Sequence, residues 1–189
     1  KLSSKYSNNP ERISIQENEV LNFNIKQDVI NIFPKDKFKE LSKQIEKRQG
    51  SILVFVKTKY GTEKLSKRLK KEGIKSTALH GGLRQNKRSR IMDNFRDEKF
   101  RIMIATDIAS RGIDVPHIEH VINYDLPQAP EDFVHRIGRT ARAGSIGEAV
   151  SFVTPNDSKI WKSIEITIKR ISQKGNINKS SKKGKGKNL

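Results

Sequence analysis

Two alternating patterns of apolar residues organise this chain. The run 52–56 is apolar without interruption and rich in β-branched residues, which is typical of a strand buried on both faces. Before it, Phe38, Leu41 and Ile45 recur at helical spacing. Gly50 separates the two patterns and is expected to end the helix. The pattern therefore predicts a helix followed directly by a central strand.

The same cycle of helix and strand repeats along the chain. Further strands are predicted at 20–25, 76–79, 102–105, 121–124 and 149–153, the first of them as an edge strand. Helices are predicted around Leu65 and Leu69, Ile91 and Phe95, and 133–137. Strands that alternate with helices predict an α/β fold with an open parallel sheet and helices on both of its faces. In such a sheet, ligands bind beyond the carboxyl ends of the strands.

A last helix is expected after the final strand. The sequence 154–157, Thr-Pro-Asn-Asp, is typical of a capping start with proline at the first helical position. The apolar residues that then share one helix face are Ile160, Ile164, Ile168 and Ile171. From Gly175 onwards the chain has almost no apolar residue, so we expect a disordered tail.

Composition adds a strong positive charge to this picture. The chain has 189 residues, enough for one good core with appendages, and a formal net charge of +18. The segment from Thr167 to the C-terminus holds eight Lys or Arg and no acid, which leaves +10 for the rest. The body is basic even without its tail, and nucleic acid is the first candidate partner.

Several classes of function are not expected. The chain has no cysteine, which excludes disulfides and thiol catalysis. Its four histidines are not accompanied by acids at ligand spacing, so no protein metal site is predicted. No apolar run approaches the ~20 residues of a membrane helix, and the N-terminus lacks the layout of a signal peptide. We expect a soluble, cytoplasmic protein with no membrane partner.

The segment 135–144 is the most distinctive chemistry in the chain. It holds His135, Arg136, Arg139 and Arg142, two glycines and no acid. Guanidinium groups stay charged at every physiological pH and match phosphate oxygens two hydrogen bonds at a time. A phosphate site is the functional interpretation, and a solvated basic turn is the alternative on charge alone.

Two further segments follow predicted strands. In His80-Gly81-Gly82, the glycines would let backbone N–H groups approach a phosphate, or they form a mere turn. Gln85 and Arg88, three residues apart, would project from one side of the next helix near its N-terminus, where an anion is favoured. Surface solvation is the alternative for this pair.

The segment 105–114 leaves another strand with small hydroxyl residues and two carboxylates. Thr106 has a hydroxyl suited to phosphate, whereas Asp114 would suit a ribose hydroxyl. Asp107 and Arg111 are alternatively a structural ion pair.

Taken in order, these segments closely resemble the C-terminal RecA-like lobe of DEAD-box RNA helicases. The resemblance runs from about residue 11 to residue 155. The segments that carry it are 57–59, 80–82 with Gln85 and Arg88, 105–114, 121–125 and 135–139. Five matching segments in one order are far more specific than any of them alone.

The resemblance implies a role for particular residues. Arg139 and Arg142 would be catalytic arginine fingers at the γ-phosphate of ATP. Asp114, with Gly112, would lie in the nucleotide site and hold the ribose, while His135 and Arg136 would couple that site to the other lobe. The residues expected on the RNA sugar-phosphate backbone, without reading base sequence, are Gly81, Gln85, Arg88 and Thr106.

Two positions depart from the family pattern. Gly82 stands where the family commonly has aspartate, which removes a charge beside the turn. Ala141 stands where the family commonly has glycine, and the risk there is a positive φ that alanine tolerates poorly.

The chain lacks two sequence motifs that ATP hydrolysis by such a helicase requires. It has no Gly-x-x-x-x-Gly-Lys-Ser/Thr loop and no Asp-Glu-Ala-Asp segment. The N-terminal lobe would therefore bring the nucleotide loop, and the Mg²⁺ that accompanies ATP would be held mainly by that lobe. We therefore expect residues 1–19 to be the end of the first lobe with the linker, residues 20–172 to be the C-terminal domain, and residues 173–189 to be a basic tail. That tail is either an RNA-tethering arm or a solubilising end.

Two other functions compete with an RNA helicase. One is a non-catalytic RNA-binding or adaptor module that has kept a helicase-like lobe, although such a module has no need for both Arg139 and Arg142. The other is a DNA helicase of the same superfamily, which the segment 106–112 fits less well.

Overall fold

The computed structural model describes residues 25–110, 118–141 and 146–183, and only the backbone of 174–183. Its strands are β1 (Ile25–Asn31), β2 (Ile52–Phe55), β3 (Thr77–Leu79), β4 (Ile102–Ala105), β5 (His120–Asn123) and β6 (Gly147–Val153). Its helices are α1 (Lys37–Glu46), α2 (Lys59–Lys71), α3 (Gln85–Arg96), α4 (Asp107–Ser110), α5 (Pro130–Ile137) and α6 (Ser158–Lys183). None of the helices in these ranges combines the length and apolar character needed to cross a membrane.

The six strands form one sheet in the order β1-β6-β5-β2-β4-β3, and every neighbouring pair is parallel. The predicted α/β fold with an open parallel sheet is confirmed. Strand β2 lies in the middle, paired with β4 on one side and β5 on the other. Because all strands run the same way, their carboxyl ends share one edge.

The core forms two layers, one on each face of the sheet. In β2, Leu53 and Phe55 join one layer while Ile52 and Val54 join the other, and all four are fully buried. Helices α1 and α2 cover the second layer, and α3, α5 and α6 cover the first. The uninterrupted apolar run 52–56 was expected to mark a strand covered on both faces, and the structure confirms it.

Helix α6 begins as predicted. Thr154 and Asp157 form a capping box over a single 3₁₀ turn that has Pro155 at its start. Ile164 is fully buried, and Trp161 meets Phe133 edge-on at a centroid distance of 5.8 Å. The backbone of α6 continues to Lys183, and the disorder expected from residue 173 onwards stays a prediction. Residues 184–189 lie outside the described part.

The first described strand is β1 at Ile25–Asn31, which shares only Ile25 with the strand expected at 20–25. Residues 1–24, including the expected linker, lie outside the described residues, so the expectation for them stays a prediction. As an edge strand, β1 keeps most of its side chains exposed, with Ile25 and Ile30 half-buried. Because so few of its side chains are buried, β1 has only a weak apolar pattern in the sequence.

Gly147 opens β6 in a space that only glycine fits. A Cβ there would lie 2.4 Å from Oγ1 of Thr140 and 2.7 Å from the backbone nitrogen of Ala141. Thr140 is fully buried and donates its hydroxyl to the carbonyl of Glu119 at 2.7 Å, so it has little freedom to yield.

We expect Gly147→Ala to lower the free energy of unfolding by about 1–3 kcal/mol, because the added methyl group overpacks this corner. Urea unfolding followed by circular dichroism measures the change. Gly81→Ala is the matched control, since its Cβ would meet nothing closer than Ile108 at 3.9 Å. Equal stability of the two variants would contradict the prediction.

Candidate functional site

Polar residues follow the carboxyl end of almost every strand. They are Lys57 and Thr58 after β2, residues 80–82 after β3, Thr106 and Asp107 after β4, Tyr124 and Asp125 after β5, and Thr154 after β6. These strands are parallel neighbours, so the segments line one edge of the sheet. The edge where ligands of such sheets bind is therefore the polar edge of this one.

Arg136 lies beneath that edge with a side chain that is 2% exposed. Its Nε donates to Oδ1 of Asp107 at 2.6 Å, and its Nη2 donates to Oδ2 of the same carboxylate at 2.8 Å. This is a bidentate pair of the geometry that guanidinium and carboxylate groups favour.

The remaining contacts of Arg136 reach β5 and β2. Its Nη1 donates to Oδ1 of Asn123 at 3.1 Å and to the carbonyl oxygen of Asp125 at 2.6 Å. Its guanidinium carbon lies 4.8 Å from the ring centre of Phe55. One side chain of α5 thus holds together the segments that follow β4 and β5, above the end of β2.

These contacts bear on two expectations. The place of Arg136 in the nucleotide site stays a prediction, and the hydrogen bonds described for its side chain are all made inside the lobe. Asp107 pairs with Arg136. The alternative ion pair of Asp107 with Arg111 stays a prediction, since Arg111 lies outside the described residues.

His135 and Arg139 lie on the outer side of the same segment. The imidazole of His135 is 64% exposed and 3.9 Å from a carboxylate oxygen of Asp132. Arg139 is half-buried, and its Nε donates to the carbonyl oxygen of His135 at 3.3 Å. The segment therefore contains a fully buried arginine and, three residues later, a half-buried one.

Ala141 has a φ of 58° and is almost fully buried. This is the positive φ that was expected to be unfavourable for alanine in place of glycine. The left-handed conformation costs an alanine about 1–2 kcal/mol.

The other residues predicted to contact the nucleotide, Arg142, Gly112 and Asp114, lie outside the described residues.

The turn after β3 depends on His80, which sequence reasoning did not single out as a structural group. Its Nδ1 accepts a hydrogen bond from the backbone N–H of Gly82 at 3.2 Å, so the proton is on Nε2, which donates to Glu63 at 3.1 Å. A Cβ at Gly82 would lie 3.2 Å from that Nδ1. The departure to glycine therefore admits the ring close to the backbone, and Gly81 next to it is exposed.

The other predicted RNA residues lie beside this turn. Gln85 begins α3, and its Oε1 accepts a hydrogen bond of 3.4 Å from Arg88, so the pair shares one side as expected. Thr106 is 9% exposed, and its N–H donates to the carbonyl of Leu79 at 3.3 Å, which joins the ends of β4 and β3. The structure thus brings the four residues to neighbouring strand ends and the following helix.

A cavity of about 450 Å³ lies between the ends of β2 and β5, and its polar lining was not predicted. Asp125 accepts from the ammonium of Lys37 at 2.5 Å and from the N–H of Lys57 at 3.1 Å. The Lys37 ammonium also lies 4.4 Å from the centre of the Tyr124 ring. Burial, with Asp125 adjacent, raises the pKa of the Tyr124 hydroxyl, so this residue stays neutral.

The described donor set suits phosphate oxygens better than a metal. Within residues 25–110, 118–141 and 146–173, no three His, Asp or Glu side chains gather as metal ligands. Exposed backbone at Gly81 and the guanidinium groups of Arg88 and Arg139 are hydrogen-bond donors.

Comparison with known proteins gives a family match. The model of the helicase conserved C-terminal domain matches residues 36–144. The DEAD-box ATP-dependent RNA helicase CshA of Bacillus cereus is 37% identical over 90% of this chain and 33% of its own length. The ATP-dependent RNA helicase CshA of Listeria monocytogenes is 36% identical over 92% of this chain and 34% of its own length. The chain thus spans about a third of the length of these curated relatives.

Solved structures agree with the family match. The C-terminal domain of the DEAD-box protein Dbp5 is 36% identical with a TM-score of 0.72, over 78% of this chain and 87% of that one. A DEAD-box protein from the hyperthermophile Methanococcus jannaschii is 39% identical with a TM-score of 0.73, over 89% and 45%. The Dbp5 of S. cerevisiae bound to RNA and ADP BeF3 is 35% identical with a TM-score of 0.75, over 90% and 45%.

Proposed function

The chain belongs to the helicase conserved C-terminal domain family, as the C-terminal RecA-like lobe of a DEAD-box protein, and from that premise we propose that it works as one half of an ATP-dependent RNA helicase. The observation that carries the proposal is the Arg136 network. It fastens the segment that holds Arg139 to the strand-end segments at Asp107 and Asp125. Arg139, proposed to face a phosphate, and the strand-end segments, proposed to face RNA, are in this way connected through one buried side chain.

RNA is the proposed partner at the β3 and β4 end of the edge. Gly81 would offer its backbone, Gln85 and Arg88 their side chains, and Thr106 its hydroxyl to the sugar-phosphate chain. All of these contacts read backbone and none reads a base, so the binding is proposed to be independent of sequence. The solved Dbp5 of S. cerevisiae, which this lobe resembles, was bound to RNA and ADP BeF3.

ATP is the proposed cofactor at the α5 end. Mg-ATP supplies the phosphoryl group for hydrolysis, with Mg²⁺ held mainly by the N-terminal lobe. Arg139 and Arg142 are proposed to donate to the γ-phosphate, Asp114 with Gly112 to hold the ribose, and His135 to contact the N-terminal lobe. Arg136 is assigned a positioning role, because its network fixes where α5 ends and therefore where Arg139 starts.

The proposed cycle is a two-state movement of two lobes. ATP and RNA bind across the cleft, and closure brings the arginines to the nucleotide while it bends the RNA strand, which then no longer fits a duplex. Release of products reopens the cleft. ATP and RNA are in this way coupled ligands of one closure. We propose a cytoplasmic location on the sequence alone.

The proposed RNA contacts predict weak and strongly salt-dependent binding by this chain alone. Removal of one phosphate-binding cation should lower the slope of log K against log salt by ~0.7 for a single strand. We therefore expect Arg88→Gln to lower that slope by about 0.7, measured by fluorescence anisotropy with a labelled RNA.

A matched control lies on the same helix. Arg96 is exposed and paired with Asp93 at 3.0 Å, away from the turn, so Arg96→Gln should leave the slope unchanged. Slopes that are the same for both variants, or binding that ignores salt, would rule out Arg88 as a phosphate contact.

A further inference from the structure

A basic groove runs along α2, outside the residues assigned to RNA above. Its volume is about 740 Å³, and the side chains that line it come from α2 and from the turn after β3. They are Lys59, Tyr60, Glu63, Lys64, Lys67, Arg68, Lys71, His80 and Gly82. We refer to this surface as the α2 groove.

The groove results from the division of α2 into two faces. Thr62, Leu65, Ser66 and Leu69 are buried against the sheet. Tyr60, Lys64, Lys67 and Lys71 follow one another at spacings of three and four residues, so they form one exposed stripe. At 1.5 Å per residue the stripe is about 16 Å long.

The charge of the stripe is largely uncompensated. Within the described part of the chain, no carboxylate forms an ion pair with Lys59, Lys64, Lys67 or Lys71. Glu63, the acid of the groove, is bonded to His80. Like charges three and four residues apart repel one another along a helix, and a bound polyanion removes that repulsion.

The groove is continuous with the proposed RNA contact. The bond between Glu63 and His80 fastens α2 to the turn that presents Gly81. The Cδ atom of Lys59 lies 3.7 Å from the place where a Cβ of Gly82 would be. A strand that crosses the turn therefore meets the first cation of the groove at once.

Tyr60 gives the groove a second feature of single-strand sites. Its side chain is 73% exposed at the end of the stripe that is nearer the turn. Exposed aromatic rings beside a cationic track are platforms on which unpaired bases stack. An acidic polypeptide would use the lysines but has no comparable use for the ring, so the combination favours RNA.

We propose that the α2 groove is an extended binding site for single-stranded RNA, which holds the part of the strand that has passed the turn at 80–82. This inference rests on the proposed RNA contacts at that turn. Lys64, Lys67 and Lys71 contact phosphates, Lys59 bridges from the turn, and Tyr60 stacks on a base. Arg68 is not included, because its guanidinium is packed 3.5 Å from the ring centre of Phe38.

Two RNA lengths separate the groove from the turn. The 189-residue chain is titrated with labelled single-stranded RNA of about 6 and of about 16 nucleotides, which spans the usual range of single-strand site sizes. The test variant carries Lys64→Gln, Lys67→Gln and Lys71→Gln together. Glutamine is a good helix former, so α2 is retained.

The expected result is specific to the longer RNA. The triple variant should lower the slope of log K against log salt by about 2 for the longer RNA and leave the shorter RNA unaffected. Tyr60→Ala should weaken binding of the longer RNA about fivefold, the effect of one weak stacking contact, while Tyr60→Phe should keep wild-type affinity.

A control with the same loss of charge completes the design. The exposed lysines Lys39, Lys47 and Lys159 lie away from the groove, and their replacement by glutamine changes net charge equally. If this control and the test variant bind the longer RNA equally, or if the wild-type chain binds both RNAs with the same affinity, the groove does not hold RNA.

A second outcome concerns the kind of polyanion. If the triple lysine variant binds polyglutamate more weakly than the wild-type chain but binds RNA equally well, the groove fits an acidic polypeptide and the proposal is wrong. Loss of short-RNA binding in Arg88→Gln tests the turn separately.

Discussion

Replacing Arg136 by methionine is expected to lower the free energy of unfolding by about 3–5 kcal/mol. The guanidinium is almost fully buried and makes four hydrogen bonds, two of them to Asp107. Methionine fills a similar volume but leaves the Asp107 carboxylate, the Asn123 amide oxygen and the Asp125 carbonyl without their donor. Because the Asp107 side chain is 29% exposed whereas Asn123 is fully buried, much of the cost comes from the oxygens that lose their donor away from water.

Urea unfolding at neutral pH, followed by circular dichroism, measures this effect. Arg96→Met removes an arginine from an exposed pair with Asp93 and should change stability by less than about 0.5 kcal/mol. The double variant Arg136→Met, Asp107→Leu should be more stable than Arg136→Met alone, because no unpaired charge remains. An Arg136→Met chain as stable as Arg96→Met would show that the network is unimportant for the fold.

Replacing Arg139 by alanine is expected to lower kcat of RNA-stimulated ATP hydrolysis by about 10³-fold or more, the range known for arginine fingers. The reason is electrostatic: a guanidinium at the γ-phosphate stabilises charge that develops in the transition state. In this proposed role, Arg139 would be held by the Arg136 network that fixes the end of α5 and by its own hydrogen bond to the His135 carbonyl.

The measurement requires the first lobe. Wild-type or variant chain is mixed with a separately produced N-terminal lobe, or the change is made in a two-lobe protein, and ATP hydrolysis is followed with and without RNA. Arg139→Lys keeps the charge without the planar fork and should remain far below wild type. Arg96→Ala is the control on the same lobe. Hydrolysis by Arg139→Ala at the wild-type rate would remove Arg139 from the catalytic site, as would the absence of RNA-stimulated hydrolysis in the wild-type mixture.

The central elements of the fold could be predicted because their patterns are strong. Strand β2 is buried on both faces and reads as an uninterrupted apolar run, and α1 presents Phe38, Leu41 and Ile45 to the core at helical spacing. Strand β1 was harder to place, because most of its side chains are exposed and its apolar pattern is weak. An apolar pattern reflects burial, so an edge strand that buries few side chains is difficult to locate from sequence.

The segments of the candidate site could be predicted from sequence, whereas the contacts between their side chains could not. Arg136 and Arg139 look alike in the sequence, yet the first is fully buried and the second is half-buried. Helical spacing held the missing signal, since Arg136 lies three residues after the buried Phe133 and so on the inner face of α5. Its partner Asp107 is 29 positions away and could be assigned only from the folded sheet.

The order of strands in the sheet also affects how this lobe folds during its synthesis. Strand β1 is paired through its whole length with β6, so that Ile25 meets Gly147 and Asn31 meets Val153. Ribosomes add about 5–20 residues per second, so the nascent β1 waits on the order of ten seconds before its partner exists. Pairings between such distant parts of a chain form slowly. We therefore expect the sheet to assemble outward from β2, with β6 docking on β5 and β1 arriving last, and a chain truncated before β6 to leave β1 as an exposed edge that favours aggregation.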